Sequence, residues 1–434
     1  MRDAFLLAVL PFLLYAMARR PFVGLGLWIW TALFYPNGWV YGAAGVIRFN
    51  LLFAGVTAFS YFVMKDKPKF MLGRTGFLVL LFFMWTTAST LMGVGRPDLA
   101  WDIWDRFMKV VLLFVFVLMI VKDKLHFDFF LACVVLSVGF YADLEALKYL
   151  ASGGGHKIEG IYGHVLADRN ELSVAFVMLL PICVYLLRQY GKQSKLIQFA
   201  LLGTIALTVT AIIGTQSRGG FIALLALGAY FFIKSDRKML VAAMLCVLVL
   251  GLSQVVTSEW LARINTIDAA DKDASFMGRV VAWKLSLILA THNPFFGGGF
   301  KGLEYFPVWS SLSQEFSSFP WFYTGAALPD PDKARAAHSI YFQVLGDHGF
   351  FGLGIYLSIL LGAFFKARRV VRLARIHPVP EWIGRAAITL QLSLFAFCVG
   401  GAALSFAYFD LTFAAIGLLI VLEQRILPAA IKEA

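Results

Sequence analysis

Charge is scarce in this chain. Of its 434 residues only 15% are Asp, Glu, Lys or Arg, while 60% are apolar; soluble domains carry about 25% charged and 45–50% apolar residues. A chain so poor in polar groups could not cover its apolar surface in water. That excludes the string of roughly three soluble domains suggested by length alone, together with disordered and collagen-like chains. Cysteine is scarce as well. Cys133, Cys183, Cys246 and Cys398 each lie inside an apolar run, with no two at metal-ligand spacing, so neither a disulfide framework nor a zinc site is indicated. The seven histidines include no pair at helical spacing, and no 20–50-residue repeat or low-complexity tract is evident. Acidic residues are the rarer sign, 26 against 38 Lys and Arg, for a formal charge of +12. No basic patch interleaved with polar groups on a soluble module accompanies that excess, so no nucleic-acid partner is expected.

What remains is apolar sequence in runs. A helix needs about 20 apolar residues to cross the hydrocarbon core. Thirteen candidate runs lie near 4–18, 21–36, 48–64, 75–92, 104–121, 127–148, 171–187, 196–214, 218–233, 238–255, 340–365, 385–403 and 407–424. The first two are short and separated only by Arg19, Arg20 and Pro21, so one could be half-inserted. No small-residue cleavage site precedes Arg19–Arg20, which makes the first run a retained span by expectation. The chain therefore reads as an all-α polytopic membrane protein with 12–13 transmembrane helices and one large helical periplasmic loop.

Lys and Arg cluster in short cytoplasmic connections. On that rule 65–74, 122–124, 188–195, 234–238, 366–375 and the C-terminus face the cytoplasm. Residues 93–103, 149–170, 215–217, 256–338 and 404–406 face outward. The division is into N-terminal transmembrane helices 1–255, a periplasmic loop 256–338 and C-terminal transmembrane helices 339–434. The 83-residue loop is long enough to be functional. Within it Phe276–Ala290 reads as a helix, stopped by Asn293-Pro294 and Gly297-Gly298-Gly299. Its aromatic residues Tyr305, Phe306, Trp309, Phe316, Phe319, Trp321, Phe322 and Tyr323 suit either a headgroup layer or a loop packed on itself.

Several cations fall on the outward side, against the rule. Arg48 opens the third run, Arg106 and Lys109 the fifth, Arg169 the seventh and Arg218 the ninth. Arg263, Lys272, Arg279, Lys284, Lys301, Lys333 and Arg335 lie in the loop. Singly each could be a solvated or snorkelling side chain. Together they suggest convergence on an anionic ligand at the outer leaflet. Arg218 is the sharpest, because Thr215-Gln216-Ser217-Arg218-Gly219-Gly220 interrupts some forty apolar residues. An ionisable residue so near hydrocarbon is a functional candidate; the glycines allow a backbone or a ligand close, and the helix N-terminus adds donors for an anion. Asp102, Asp105, Arg106 and Lys109 share one helical stripe, where i,i+4 pairing at a solvated helix end competes with a ligand role.

His338 stands where the long loop re-enters the membrane. Its unperturbed pKa of about 6.5 suits proton transfer near neutrality, and nearby cations such as Arg335 would keep it neutral, as a base must be. An interfacial histidine can equally be structural. His348 would sit deeper in the same span, while His156 and His164 flank a glycine turn without a visible partner.

Three stretches in order carry a family resemblance: Ser217-Arg218-Gly219-Gly220 at a span start; Gly278-Arg279 with Trp283 and Asn293-Pro294 to Gly299; and His338-Ser339 leading to Gln343, Gly349 and Gly352. With Asp168-Arg169-Asn170-Glu171 and the large late loop, they resemble the O-antigen ligase and polymerase superfamily of bacterial inner-membrane glycan transferases. The resemblance covers roughly residues 160–360 by motif. It implies an undecaprenyl diphosphate-linked glycan donor among the membrane lipids of the outer leaflet. The glycan is transferred en bloc, with inversion, to a hydroxyl of an acceptor such as the lipid A-core oligosaccharide, with neither metal nor nucleotide cofactor. By the same resemblance Arg218 and Arg279 bind the diphosphate and His338 is the base. The outward Arg48, Arg106, Lys109 and Arg169 join them as candidate diphosphate ligands. A polymerase of lipid-linked glycan and a protein O-oligosaccharyltransferase are alternatives within the superfamily. A transporter of lipid-linked glycans is the alternative outside it, although no repeated halves are seen.

Overall fold

The computed structural model describes residues 2–234, 238, 274–320, 322 and 327–434. The run 238–255 falls almost wholly outside them, as do Cys246, Arg263, Lys272, Trp321 and Tyr323. Fourteen helices are described: α1 (Arg2–Arg19), α2 (Pro21–Phe34), α3 (Phe49–Val63), α4 (Gly73–Leu91), α5 (Pro97–Ile120), α6 (Lys124–Ala151), α7 (Arg169–Tyr190), α8 (Lys195–Gly214), α9 (Arg218–Lys234), α10 (Ala274–His292), α11 (Phe306–Glu315), α12 (Ile340–Ile376), α13 (Glu381–Gly401) and α14 (Asp410–Glu433). No strand occurs among the described residues. The all-α polytopic architecture read from the apolar runs is the one observed.

Seven helices, α4, α6, α7, α8, α12, α13 and α14, are long and apolar enough to cross a membrane. Five other expected spans are helices that are shorter or carry more charge. At 14, 15 and 17 residues, α2, α3 and α9 are about 21–26 Å long at 1.5 Å per residue, less than a 30 Å hydrocarbon core. Helices α1 and α5 carry too many charges at their ends, Arg2, Asp3 and Arg19 in one and Asp98 to Lys109 in the other.

Helix starts follow local chemistry. Proline opens α2 and α5, where its missing N–H costs nothing. Asp123, Asp168 and Ser194 accept backbone N–H groups at the starts of α6, α7 and α8, satisfying donors that have no partner within the helix. The most enclosed helix is α7, which packs against α8, α9 and α13. At one end of the bundle Arg425 donates to the carbonyls of Val121, Lys69 and Leu118. There Lys366 also pairs with Glu423, and Lys124, Tyr185 and Tyr190 surround Asp128. The opposite end gathers the starts of α3, α5, α7, α9, α12 and α14, and there α10 packs against α12.

That segment is helical, as expected: α10 contains the expected 276–290 helix, and α11 follows. Trp309 and Phe316 are buried with Leu285, Ile288 and Leu312 between α10 and α11. For these two aromatics, packing of the loop on itself prevails over a headgroup position; Phe306 remains exposed.

One backbone feature joins the loop to the bundle. Helix α12 is broken at Gly349 (φ 70°, ψ −174°). The glycine run lies in the break, where Gly298 N–H donates to Gly346 O and Gly299 N–H to Asp347 O, both at 2.8 Å. In return Phe350 N–H donates to Pro294 O at 2.8 Å. Non-helical backbone at membrane depth requires such partners. Behind the break His348 is fully buried, its ring nitrogens 2.8 Å from Ser89 Oγ and 2.9 Å from Tyr408 Oη. Any side chain at position 349 would need a left-handed backbone and would bring Cβ to 2.5 Å from Pro294 O. Gly349→Ala is therefore expected to cost about 1–3 kcal/mol. Thermal unfolding in detergent checks this; an unchanged melting curve would contradict it.

Candidate active site

The cations of the outward set are placed by helix starts. Asp168 caps α7, its Oδ1 accepting from the backbone and side-chain N–H groups of Asn170, both at 2.7 Å. Ser217 caps α9, accepting from Gly220 N–H at 3.3 Å and donating to Asn170 Oδ1 at 2.9 Å. The two caps are thus joined through Asn170, and the first residues of the two helices are Arg169 and Arg218, both half-buried. The glycines after Arg218 serve helix packing. A Cβ on Gly220 would lie 1.8 Å from Ser173 Oγ of α7, and one on Gly219 would lie 3.3 Å from Gly400 O of α13.

His338 precedes α12, open to solvent on one side and walled by helix ends on the other. Its φ of 47° is left-handed, which costs an L-residue about 1–2 kcal/mol. Its N–H donates to Ser405 Oγ in the α13–α14 turn at 2.9 Å. Desolvation first, and then the charges of Arg279 and Arg335, lower its pKa below the ordinary value, with Asp168 acting in the opposite sense. Arg335 lies against α10 where Gly278 has no side chain, its Nη1 only 2.5 Å from where a Cβ would be. Desolvation raises the pKa of Asp168, but hydrogen bonds with Asn170 and Glu171 and the charge of Arg169 bring it below the usual carboxylate value. The result is a mouth formed by the starts of α7, α9 and α12 and by α10. It holds a histidine whose pKa is lowered, two cations that act on that ring, and further arginines on the two capped helix starts.

The structure brings together His338, Arg279, Asp168 and Arg335, with Arg169 and Arg218 on the linked helix starts. The remaining candidates are not among the charges that act on His338. Arg48 is exposed at the start of α3. Arg106 is exposed on α5, and its charge falls on His164. Lys109 pairs with Asp105, as the stripe suggested, whereas Asp102 and Arg106 form no ion pair among the described residues. The two loop histidines do have partners. His156 meets Glu145 at 2.7 Å; His164 Nε2 is 2.8 Å from Ala32 O, its ring stacks on Tyr35, and burial pushes its pKa down to about 4. Ser405 carried no signal in the sequence, being one residue of a short turn 67 positions from His338. Among the described residues, no group of three or more His, Cys, Asp or Glu is placed to hold a metal ion.

Apolar helices of this length, charged at their ends, define a multi-pass membrane protein with a polar site at one set of helix ends. The O-Antigen ligase family model matches residues 203–357, which include α9, α10, His338 and the break in α12. Over that segment, which is less than half of the chain, the protein is similar to the O-antigen ligase family, and the similarity supports a function broadly of the ligase/polymerase type, a glycosyltransferase-like activity. Residues 1–191 match a family of unknown function, and no curated protein matches the chain.

The electrostatics of the mouth can be read directly by NMR titration of ring-labelled histidine. His338 is expected to take up its proton below the ordinary 6.5. Arg335→Ala is expected to move that titration upward, and Asp168→Asn to move it downward. Identical titrations in all three proteins would contradict the arrangement.

Proposed function

We propose that the protein is an inverting glycan ligase whose donor is an undecaprenyl diphosphate-linked O-antigen and whose acceptor is a sugar hydroxyl of lipid A-core, working on the periplasmic side of the inner membrane. The observation that carries this reading is a histidine whose pKa is lowered by Arg279 and Arg335, close to two linked helix starts that each open on an arginine. Helix N-termini favour anions, and arginine matches phosphate oxygens in bidentate fashion. Arg218 and Arg279 hold the diphosphate, with Arg169 beside them.

In the reaction the acceptor oxygen attacks the anomeric carbon as its proton passes to His338. The bond from that carbon to the diphosphate oxygen breaks on the opposite face, and the electron pair leaves with the diphosphate. The arginines stabilise the charge that develops there. A site kept in place by helix caps needs little reorganisation when that charge appears.

His338→Ala is expected to insert and fold while lowering transfer by at least about two orders of magnitude. In the parent protein the acid limb of the rate profile should fall below pH 6.5, because a base with a lowered pKa remains neutral further into acid. Purified protein incubated with the diphosphate-linked glycan and, separately, core lipid, a peptide and a second lipid-linked glycan tests the assignment. Product with core lipid alone supports it. Product only with lipid-linked glycan makes the protein a polymerase, and product only with peptide makes it a protein ligase. Parent-like transfer by His338→Ala removes the base.

A further inference from the structure

The left-handed conformation of His338 is held at a single peptide unit. The carbonyl of Ala337 accepts from the indole Nε1–H of Trp283 at 2.8 Å, and the N–H of His338 donates to Ser405 Oγ at 2.9 Å. These two groups are the opposite ends of the one planar peptide bond between residues 337 and 338. With both ends fixed, the plane can no longer rotate, and the N–Cα bond from which the His338 side chain departs is fixed with it.

Each clamp stands on a rigid support. Trp283 lies one helical turn beyond Arg279 on α10, so one helix carries both a cation of the mouth and one jaw. Its ring stacks on Phe342 of α12 with centroids 5.2 Å apart and planes 6° apart, and Phe276 meets it edge-on. The turn that carries Ser405 is tied to α12 at three further points. Ala407 N–H donates to Gln343 Oε1 at 3.1 Å, Tyr356 Oη to Ala407 O at 3.3 Å, and Tyr408 Oη to Asp347 Oδ2 at 3.0 Å. Three separate parts of the fold, α10, α12 and the α13–α14 turn, therefore meet at one peptide bond, and the residue it positions is His338.

We propose that Trp283 and Ser405 are positioning residues for His338, acting through the Ala337–His338 peptide and making no contact with substrate. The proposal rests on His338 being the base. A base displaced by a fraction of its hydrogen-bond reach loses rate without losing substrate, so the clamps belong to the rate of the chemical step.

The test measures single-turnover transfer, donor KM and thermal melting for Ser405→Ala, Ser405→Thr, Trp283→Phe and the Trp283→Phe/Ser405→Ala double variant. Ser405→Ala and Trp283→Phe are also made in a His338→Ala background. Ser405→Ala and Trp283→Phe are expected to slow transfer about tenfold or more while donor KM stays within about twofold. Ser405→Thr, which keeps the hydroxyl, is expected to restore the rate. The double variant should lose less than the product of the single losses, because both act on one peptide. In the His338→Ala background neither change should alter the residual rate. Equal losses in that background, a rise in KM in place of a fall in rate, or a parent-like Ser405→Ala would each overturn the clamp while leaving His338 as the base. Parent-like transfer by His338→Ala alone overturns the reading on which the clamp rests. Ser405→Ala removes a single oxygen atom, so its result stands even if Trp283→Phe melts early.

Discussion

The break in α12 at Gly349, filled by the backbone of the glycine run 297–299, is the constraint on which the active end depends. A helix opened at membrane depth exposes backbone groups that lipid cannot satisfy. Here two carbonyls and one amide of the break are taken up by the loop. The exchange ties the C-terminal side of α10 to the middle of α12. Since Arg279 is on α10 and His338 precedes α12, the same hydrogen bonds determine how the cation and the histidine face one another. Behind the break, the burial of Ser89, Asp347, His348 and Tyr408 as a connected polar group keeps the opening from propagating along the helix. With both ring nitrogens committed and no exposure, His348 belongs to this support, which leaves His338 as the histidine that a substrate can reach.

Gathering cations at helix starts is electrostatically costly unless an anion or a carboxylate is present. The protein places Asp168 and Asn170 among them, with Asn170 joining the caps of α7 and α9. Asp168 also counters the effect of Arg279 and Arg335 on His338. The mouth therefore combines enough positive charge to hold a diphosphate with a local carboxylate that keeps the base usable. On the proposed reading the same helix starts would supply donors for the diphosphate, so that insertion and anion binding would draw on one set of backbone groups.

Much of this architecture was legible in the amino-acid sequence, for identifiable reasons. Apolar runs located the helices because backbone satisfaction in lipid leaves a helix as the only open choice. Arg169, Arg218, Arg279 and His338 stood out because charge is rare here and each lies at the mouth of an apolar run or in the long loop. What the sequence conceals is azimuth. Position along a run gives depth, but not the side of the bundle on which a helix end emerges. Arg48, Arg106 and Lys109 open apolar runs as Arg218 does, yet Arg106 acts on His164 and Lys109 is committed to Asp105. The partner of the glycine run and the role of Ser405 were hidden for the same reason. Both depend on contacts between residues roughly 50 to 70 positions apart, which no local pattern encodes. Helices α2 and α3 are slightly shorter than the apolar runs that contain them.

The central claim is that the diphosphate of a lipid-linked donor sits among Arg218, Arg279 and His338. Photo-crosslinking of the intact protein with a polyprenyl diphosphate that carries its reactive group beside the phosphates, followed by mapping of the labelled peptides, tests it most directly. The account predicts label in the segments around residues 168–171, 217–220, 276–283 and 335–340. Label confined to the opposite end of the bundle, around Lys366 to Arg375, would contradict it.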